Sequence, residues 1–190
     1  MAKKKLGNRP FLYPYPVVLV GTEVEGKANF LAIAFCGIVN MNPGMLAIGI
    51  GRGHHSTKGL LANKAFSVNI PSEGMLAATD YAGMVSGSKV DKSGLFEVFR
   101  GEVAGAPMIK ECPLSMECKV REVLDMGGND YIVVAEIVET HAGEEFLTDG
   151  MPDVTKMKPV VFSMFDNRYW GLGQMLGNGW SLGKDYKPKA

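Results

Sequence analysis

The sequence predicts a mainly β protein, an antiparallel barrel with short helical insertions, and three observations favour that fold class. Short apolar runs recur along the chain and are separated by Gly, Pro and Asn, as strands are by turns. One pair of runs has the alternation and the intervening turn of a long hairpin. Helical spacing is confined to two short segments. Many short strands with few helices are typical of closed β architectures.

Apolar runs predict the strands outside the hairpin. These runs cover Pro16–Gly21, Met45–Gly51, Ala65–Ile70 and Pro159–Phe162. Glu25 and Gly26 predict a turn after the first run. Pro71 ends the third, because proline has no N–H to donate to a β-ladder.

The hairpin is predicted in the second half of the chain. The run Met116–Val120 alternates, so that Cys118 faces one side and Glu117 faces the other. The turn Asp125–Asp130 leads into the returning strand Tyr131–Glu139. The two strands therefore pair antiparallel.

Two short helices are predicted between the strands. The first covers Ser56–Lys64, with Ser56 or Thr57 as its N-cap, because a hydroxyl can accept from the free N–H groups of the first turn. The second lies within Ser72–Met84, where apolar residues have helical spacing.

Length and charge limit the classes of protein that this chain can belong to. A chain of 190 residues predicts a single domain over 1–190, with short basic termini at Met1–Lys5 and Lys184–Ala190. The 20 Lys and Arg residues balance the 20 Asp and Glu residues, which speaks against a nucleic-acid partner. No apolar run reaches the roughly 18 residues of a membrane span, and no secretory signal follows the N-terminal lysines. We therefore expect a cytoplasmic protein that binds no membrane.

The spacing of the cysteines and the absence of common catalytic motifs speak against several kinds of site. Cys36, Cys112 and Cys118 form no CxxC pair, so neither a disulfide framework nor a metal site is predicted. The sequence contains no GxSxG, HExxH or cysteine–histidine signature of a hydrolase. His141, which follows the hairpin, is interpreted as a surface histidine.

The segment Gly51–Leu60 (GRGHHSTKGL) has the composition of a phosphate-binding loop. It joins a predicted strand to a predicted helix, whose N-terminus offers free N–H groups. Its cationic or hydroxyl side chains are Arg52, His54, His55, Ser56, Thr57 and Lys58. The alternative is an ordinary capped helix with basic residues in solvent. The spacing is not that of a Walker loop, and GxGxxG is also missing from the chain.

The segment Asn29–Gly37 (NFLAIAFCG) is rich in small residues that would let a flat ring lie against the backbone. Backbone N–H groups along such a shelf can stabilise a reduced isoalloxazine ring. The alternative is a plain core strand. Cys36 lies in this segment and is interpreted as a buried, inert thiol that could also touch the ring.

Two further segments offer groups to a ligand. In Ser86–Lys92 (SGSKVDK), Lys89 and Lys92 could each reach a phosphate, although surface lysines are usually just solvated. Tyr169 and Trp170 lie beside glycines and could cap or edge a flavin. A tail that docks on its own barrel or on a partner subunit is the alternative.

Taken in order, these segments resemble the flavin reductase-like, FMN-binding split-barrel family, especially its flavoredoxin branch. The resemblance runs over roughly Tyr13 to Gly173. It rests on YPYPVVLVGT, NFLAIAFCG, MNPGMLAIGI, the basic loop that ends in Ser56 and Thr57, AFSVNIPS, the VDK element at Val90–Lys92, CPLSMECKV and YWGLG. VDKSGLF departs from many relatives, in which a bulky aromatic residue stands at the position of Ser93.

The resemblance implies a split β-barrel, antiparallel and Greek-key-like, that forms a homodimer with FMN near the subunit interface. It implies that backbone groups of Ile33, Ala34, Phe35 and Cys36 meet the ring and that Asn29 helps to fix it. It also implies that Arg52, Ser56, Thr57 and Lys92 hold the phosphate, with His54 or His55 joining them. Tyr169 and Trp170 complete the expected set of cofactor-binding residues.

The expected function is that of an FMN-dependent oxidoreductase. Hydride from NADH or NADPH would pass to the flavin, and the electrons would go on to a flavin, a metal ion or a protein. No side chain need act as an acid or base, so no catalytic residue is nominated. Two alternatives stay open: an electron carrier that is fed by a redox protein without nicotinamide turnover, and a non-catalytic barrel that binds another ligand.

Overall fold

A computed structural model describes residues 1–184 and 186–188. The strands are β1 Tyr15–Pro16, β2 Val18–Val24, β3 Lys27–Ile33, β4 Cys36–Met41, β5 Gly44–Gly51, β6 Ala65–Ile70, β7 Val98–Phe99, β8 Met108–Ile109, β9 Leu114–Leu124, β10 Asp130–Ala142, β11 Leu147–Thr148, β12 Met151–Pro152, β13 Val160–Ser163 and β14 Arg168–Gly171. The helices are α1 His55–Asn63, α2 Leu76–Met84 and α3 Val154–Met157. Short 3₁₀ turns lie at Glu73–Met75 and Glu144–Phe146. Of the basic C-terminal tail, Asp185, Lys189 and Ala190 lie outside the described residues.

One antiparallel sheet of seven strands, in the order β3-β2-β6-β9-β10-β5-β4, forms the body of the fold. Its inner face holds a cluster of fully buried apolar side chains, among them Leu46, Ile48, Phe66 and Val68. Burying such side chains is the main stabilising term of the fold. The prediction of a mainly β, antiparallel protein with short helices is confirmed.

The hairpin of β9 and β10 forms as the alternation predicts. Cys118 lies in the apolar cluster, whereas Glu117 lies on the opposite face. That face is also covered, and Glu117 is fully buried. Its carboxylate accepts from the backbone N–H of Val103 at 2.6 Å and contacts His141 Nε2 at 2.8 Å. His141 is therefore a surface histidine in part, with 35% of its side chain exposed, but its ring is also held by a buried carboxylate.

Glu117 stays ionised although it is buried. Burial alone would raise the pKa of a carboxyl group, but contact with His141 and the backbone N–H groups of Val103 and Glu102 outweighs it. The net result is a pKa for Glu117 below the ordinary value.

The segment Asn29–Gly37 contributes to two strands rather than forming one continuous shelf. Strand β3 ends at Ile33, and β4 begins at Cys36 on the far edge of the sheet. The bend at Ala34 and Phe35 brings the small residues of β3 to an edge against which helix α2 packs. Strand β3 thus forms one wall of a groove, and α2 lies against it.

A second sheet of three strands, in the order β1-β13-β14, contains the C-terminal aromatic residues. Tyr169 on β14 reaches back to α2, where its hydroxyl donates to Asp80 at 2.7 Å. This contact joins the small sheet to the helix that lines the groove.

Across the described residues, no helix combines the length and the apolar character needed to cross a membrane.

Candidate functional site

Three adjoining cavities form a groove between β3, the N-terminus of α1 and the C-terminus of α2. The apolar pocket has a volume of about 230 Å³, the helix pocket about 200 Å³ and the lysine cavity about 480 Å³. The apolar pocket and the helix pocket share Gly83 and Met84. The helix pocket and the lysine cavity share His55, Gly87 and Lys92. One elongated ligand could therefore extend through all three.

The apolar pocket offers a flat, small-residue surface. Its walls come from the end of β3, from the C-terminal turn of α2 and from the small sheet. The apolar and glycine residues that line it are Val17, Ala32, Ile33, Ala34, Gly83, Met84 and Phe162. Asp80 and Tyr169 provide its polar side chains. Such a pocket suits a planar ring with few charged atoms.

The helix pocket lies at the start of α1, which begins at His55. The N-cap is His54, whose side chain makes no capping hydrogen bond, so the prediction of Ser56 or Thr57 as the cap is wrong. Both hydroxyls lie inside the first turn and have other partners. Ser56 Oγ accepts from Asn29 Nδ2 at 2.7 Å, and Thr57 Oγ1 donates to the Gly51 carbonyl at 2.7 Å. The helix N-terminus therefore keeps N–H groups that an anion can bind.

Lys92 is the cation at the centre of the groove, and it is only 3% exposed. Its ammonium group donates to the carbonyl oxygens of Phe30 and Ala82, each at 2.8 Å. No carboxylate among the described residues forms an ion pair with it. Burial lowers the pKa of Lys92, because the charged form is poorly solvated there. An anion in the groove would supply the missing counter-charge.

Gly87 closes the groove over Asn29 and His55. A Cβ at this position would overlap the Asn29 amide oxygen and would stand 2.8 Å from His55 Cδ2. The ring nitrogen Nδ1 of His55 is buried without a hydrogen-bond partner. Buried polar atoms are normally satisfied, so this nitrogen is available to a ligand or to water.

The lysine cavity continues from the helix pocket toward solvent. Lys27 forms an ion pair with Asp91 at 2.7 Å, and both side chains are largely exposed. Lys58 on α1 and Lys89 in the loop after α2 line the same cavity. This end of the groove is therefore positively charged but open to water, where salt screens its charges.

Eight of the thirteen residues expected at the site line the groove. These are Asn29, Ile33, Ala34, His54, His55, Ser56, Lys92 and Tyr169. The other five, Phe35, Cys36, Arg52, Thr57 and Trp170, lie outside the lining of the three cavities.

Arg52 has partners that account for its charge. Its guanidinium forms a two-pronged ion pair with the Asp125 carboxylate, with Nη1 at 2.7 Å from Oδ2. It also lies 4.5 Å from the centre of the Tyr131 ring. The pairing holds the pKa of Asp125 down to about 2. Arg52 thus fastens the turn of the β9–β10 hairpin, and its positive charge is compensated within the protein.

The other expected residues that lie outside the groove have environments of their own. Phe35 packs against Tyr15, with ring centres 5.8 Å apart. Trp170 is 48% exposed and donates its indole N–H to Ser163 Oγ at 2.9 Å. Burial raises the pKa of the Cys36 thiol to about 11, so this group is neutral near pH 7.

Sequence reasoning missed several residues of the groove. Asp80 gave no signal, because a polar residue on a short helix ordinarily faces solvent. Gly83 and Met84 lie at the end of the same predicted helix, and nothing in their spacing marks a ligand site. Gly87 belongs to the SGS run, whose glycine could have been read as a point of close approach. Among the described residues, no cluster of His, Cys, Asp and Glu could hold a metal ion.

Comparisons with known proteins give a consistent result. The family described as "Flavin reductase like domain" matches residues 10–162. The crystal structure of a flavoredoxin from Methanosarcina acetivorans is 47% identical, with a TM-score of 0.94 over 97% of this chain and 98% of that chain. The flavoredoxin of Desulfovibrio vulgaris (Miyazaki F) is 32% identical, with a TM-score of 0.89 over 96% and 100% of the two chains. An FMN reductase (NADH) RutF from Agrobacterium fabrum is 26% identical over 134 residues, which are 69% of this chain and 75% of that protein.

Proposed function

We propose, from the premise that this chain belongs to the flavin reductase-like family and to its flavoredoxin branch, that it binds FMN non-covalently and uses it for electron transfer. The fold is the split antiparallel β-barrel of that family. The proposal adds the identity of the cofactor, the residues that hold it and the reaction.

The observation behind the proposal is the division of the groove into an apolar end and a cationic end. FMN has the same division, with a planar tricyclic ring, a polar chain and a terminal phosphate. The ring fits the apolar pocket beside Ala32 and Ala34. The phosphate fits the helix pocket, where the first turn of α1 and the buried ammonium of Lys92 can neutralise it. Both ends are within one continuous groove.

The residues of the groove would hold and orient the cofactor. Asn29 fixes the Ser56 hydroxyl by donating to it, so that the hydroxyl proton is free for a phosphate oxygen. Lys92 is held by two carbonyl groups, which leaves its third N–H for the ligand. When bound, FMN supplies the redox chemistry, as an acceptor of hydride from NADH or NADPH and a donor to a flavin, metal ion or protein. No side chain of the groove need transfer a proton in that step.

The visible absorption spectrum of the purified protein tests the proposal, first as isolated and then after anaerobic addition of NADH and NADPH. Flavin bands that bleach with a nicotinamide would support the oxidoreductase. A colourless protein that also fails to take up added FMN would refute the cofactor assignment and would leave the non-catalytic barrel.

A second candidate function is that of an electron carrier with permanently bound FMN and no nicotinamide turnover. The observation in its favour is the greater similarity to the two flavoredoxins, at 47% and 32% identity, than to the NADH-dependent FMN reductase, at 26%. Flavin bands that persist with both nicotinamides but bleach with dithionite would identify the carrier.

A homodimer is part of the proposal, and exposed apolar residues support it. Ile38, Val39 and Met41 on the edge strand β4 are between 56% and 86% exposed. Trp180 in the C-terminal tail is fully exposed. Sets of this kind are typical of subunit interfaces. Light scattering after size exclusion should give twice the chain mass of 20.5 kDa.

The free cysteines Cys36, Cys112 and Cys118 fit the reducing cytoplasm that we propose as the location of this protein.

Replacing Gly87 with alanine is expected to weaken FMN binding at least tenfold. The new methyl group would displace the Asn29 amide and the His55 ring, and the Ser56 hydroxyl would lose its support. Titration of the apoprotein with FMN, followed by fluorescence quenching, measures the effect. Gly94→Ala is the matched control, because a Cβ there meets no atom within 4 Å. Equal losses in both variants would show that the effect is not local to the groove.

A further inference from the structure

Asp80 and Tyr169 form a hydrogen-bonded pair in the lining of the apolar pocket. The Tyr169 hydroxyl donates to Asp80 Oδ1 at 2.7 Å, and both residues are partly buried. Burial and the neighbouring carboxylate raise the pKa of Tyr169 to about 12, so the tyrosine remains a donor at neutral pH. The pair connects α2 to the small sheet within the lining of the pocket.

Asp80 is the one charged residue among those that line this pocket. Lys92, the buried cation of the groove, lines the helix pocket and donates to two backbone carbonyls. No described cationic side chain forms an ion pair with Asp80. The negative charge of Asp80 is therefore offset only by the dipole of the Tyr169 hydroxyl and by solvent.

A fixed negative charge beside a redox ring opposes the addition of electrons to that ring. The sign of this effect does not depend on which edge of the ring faces the carboxylate, because like charges repel at every distance and the distance changes only the size of the energy. The effect is larger in a pocket with apolar walls than in water, because the local dielectric constant is lower. Charge near the ring is one of the means by which proteins set flavin potentials.

We propose that Asp80 lowers the reduction potential of the flavin held in the apolar pocket and that Tyr169 moderates this effect through its hydrogen bond to the carboxylate. The inference rests on the proposed function, because it requires FMN in the groove. Asp80 acts directly on the cofactor, whereas Tyr169 is a positioning residue that acts through Asp80. A lowered reduction potential would make the reduced flavin a better electron donor.

The midpoint potential of the FMN-loaded protein, measured against a reference dye, tests the inference. At a fixed potential, Asp80→Asn should raise the ratio of reduced to oxidised flavin at least tenfold, which corresponds to about 30 mV for a two-electron couple. Asparagine keeps an oxygen that can accept from Tyr169, so the packing is retained. Tyr169→Phe should change the ratio in the opposite direction, because it leaves the charge uncompensated. The double variant should match Asp80→Asn.

Glu73→Gln is the matched control, because Glu73 is an exposed carboxylate just before α2 and outside the apolar pocket. It should leave the ratio within twofold. An unchanged or lower ratio in Asp80→Asn, or equal shifts in Asp80→Asn and Glu73→Gln, would overturn the inference while FMN binding stands. Failure of the wild-type protein to bind FMN would instead refute the proposed function, and the inference with it.

Discussion

Replacing Lys92 with methionine is expected to weaken FMN binding by more than tenfold. Lys92 is 3% exposed and its ammonium group has no carboxylate partner among the described residues, so its charge is available to a phosphate. A charge-assisted hydrogen bond contributes about 1.5–3 kcal/mol, and each 1.4 kcal/mol corresponds to about a tenfold change in affinity. Methionine keeps the length of the side chain and removes the charge. Calorimetric titration of the apoprotein with FMN measures the loss.

The affinity of the wild-type protein should also fall as the pH rises. Burial places the pKa of Lys92 below the ordinary lysine value. Above that lowered pKa the free protein has lost the charge, and binding must restore the proton. Affinity is therefore full below the lowered pKa and declines above it. The same titration at increasing pH should show this decline in the wild type and not in Lys92→Met.

Two other cations serve as controls for Lys92. Lys89→Met removes an exposed lysine from the same groove and should change the affinity by less than about threefold, since exposed charges are screened. Arg52→Met should also have a small effect, because the Arg52 charge is paired with Asp125. An unchanged affinity in Lys92→Met, or a larger loss in Arg52→Met, would contradict the assignment of Lys92 to the phosphate.

Replacing Glu117 with alanine is expected to lower the free energy of unfolding by at least about 2 kcal/mol, because a buried donor left without a partner costs about 1–3 kcal/mol and the cavity adds to the loss. The carboxylate is fully buried and binds the N–H of Val103 and the ring of His141. Its loss would leave both donors without a partner and open a cavity. Since small domains are stable by only about 5–15 kcal/mol, the effect should be plain in urea denaturation.

The pH dependence of this effect has a defined sign. The folded pKa of Glu117 lies below its ordinary value, so its contribution is present above the unfolded pKa of about 4.3 and is lost as the pH falls through the folded pKa. The difference in stability between the wild type and Glu117→Ala should therefore be largest near neutral pH and shrink in acid.

Glu97→Gln is the control for this stability measurement. Glu97 pairs with Lys110, and both side chains are 64% exposed. Exposed pairs contribute about 0–1 kcal/mol, so this variant should unfold close to the wild type. A loss in Glu117→Ala no greater than that in Glu97→Gln would show that the contacts of the Glu117 carboxylate are not a source of stability.

The sequence by itself determined the features that depend on neighbours in the chain. Alternation of apolar residues is a local property, so it located the β9–β10 hairpin and the side to which Cys118 faces. Helical spacing located α1 and α2 to within a few residues. The basic loop before α1 marked one end of the groove for the same reason, because its residues are consecutive. The N-cap was missed because the two hydroxyls have partners elsewhere in the fold.

Only the tertiary structure decided which charged residues are available to a ligand. Arg52 and Lys92 both carry a positive charge at neutral pH, yet Asp125 compensates the charge of the first. Phe30 and Ala82 hold the second in a buried position without a counter-charge among the described residues. The contact that brings Asp80 to Tyr169 joins residues 89 positions apart. Pairing of distant side chains depends on how the sheet edge, α2 and the C-terminal strands pack together. Residue type and local spacing contain no record of that packing.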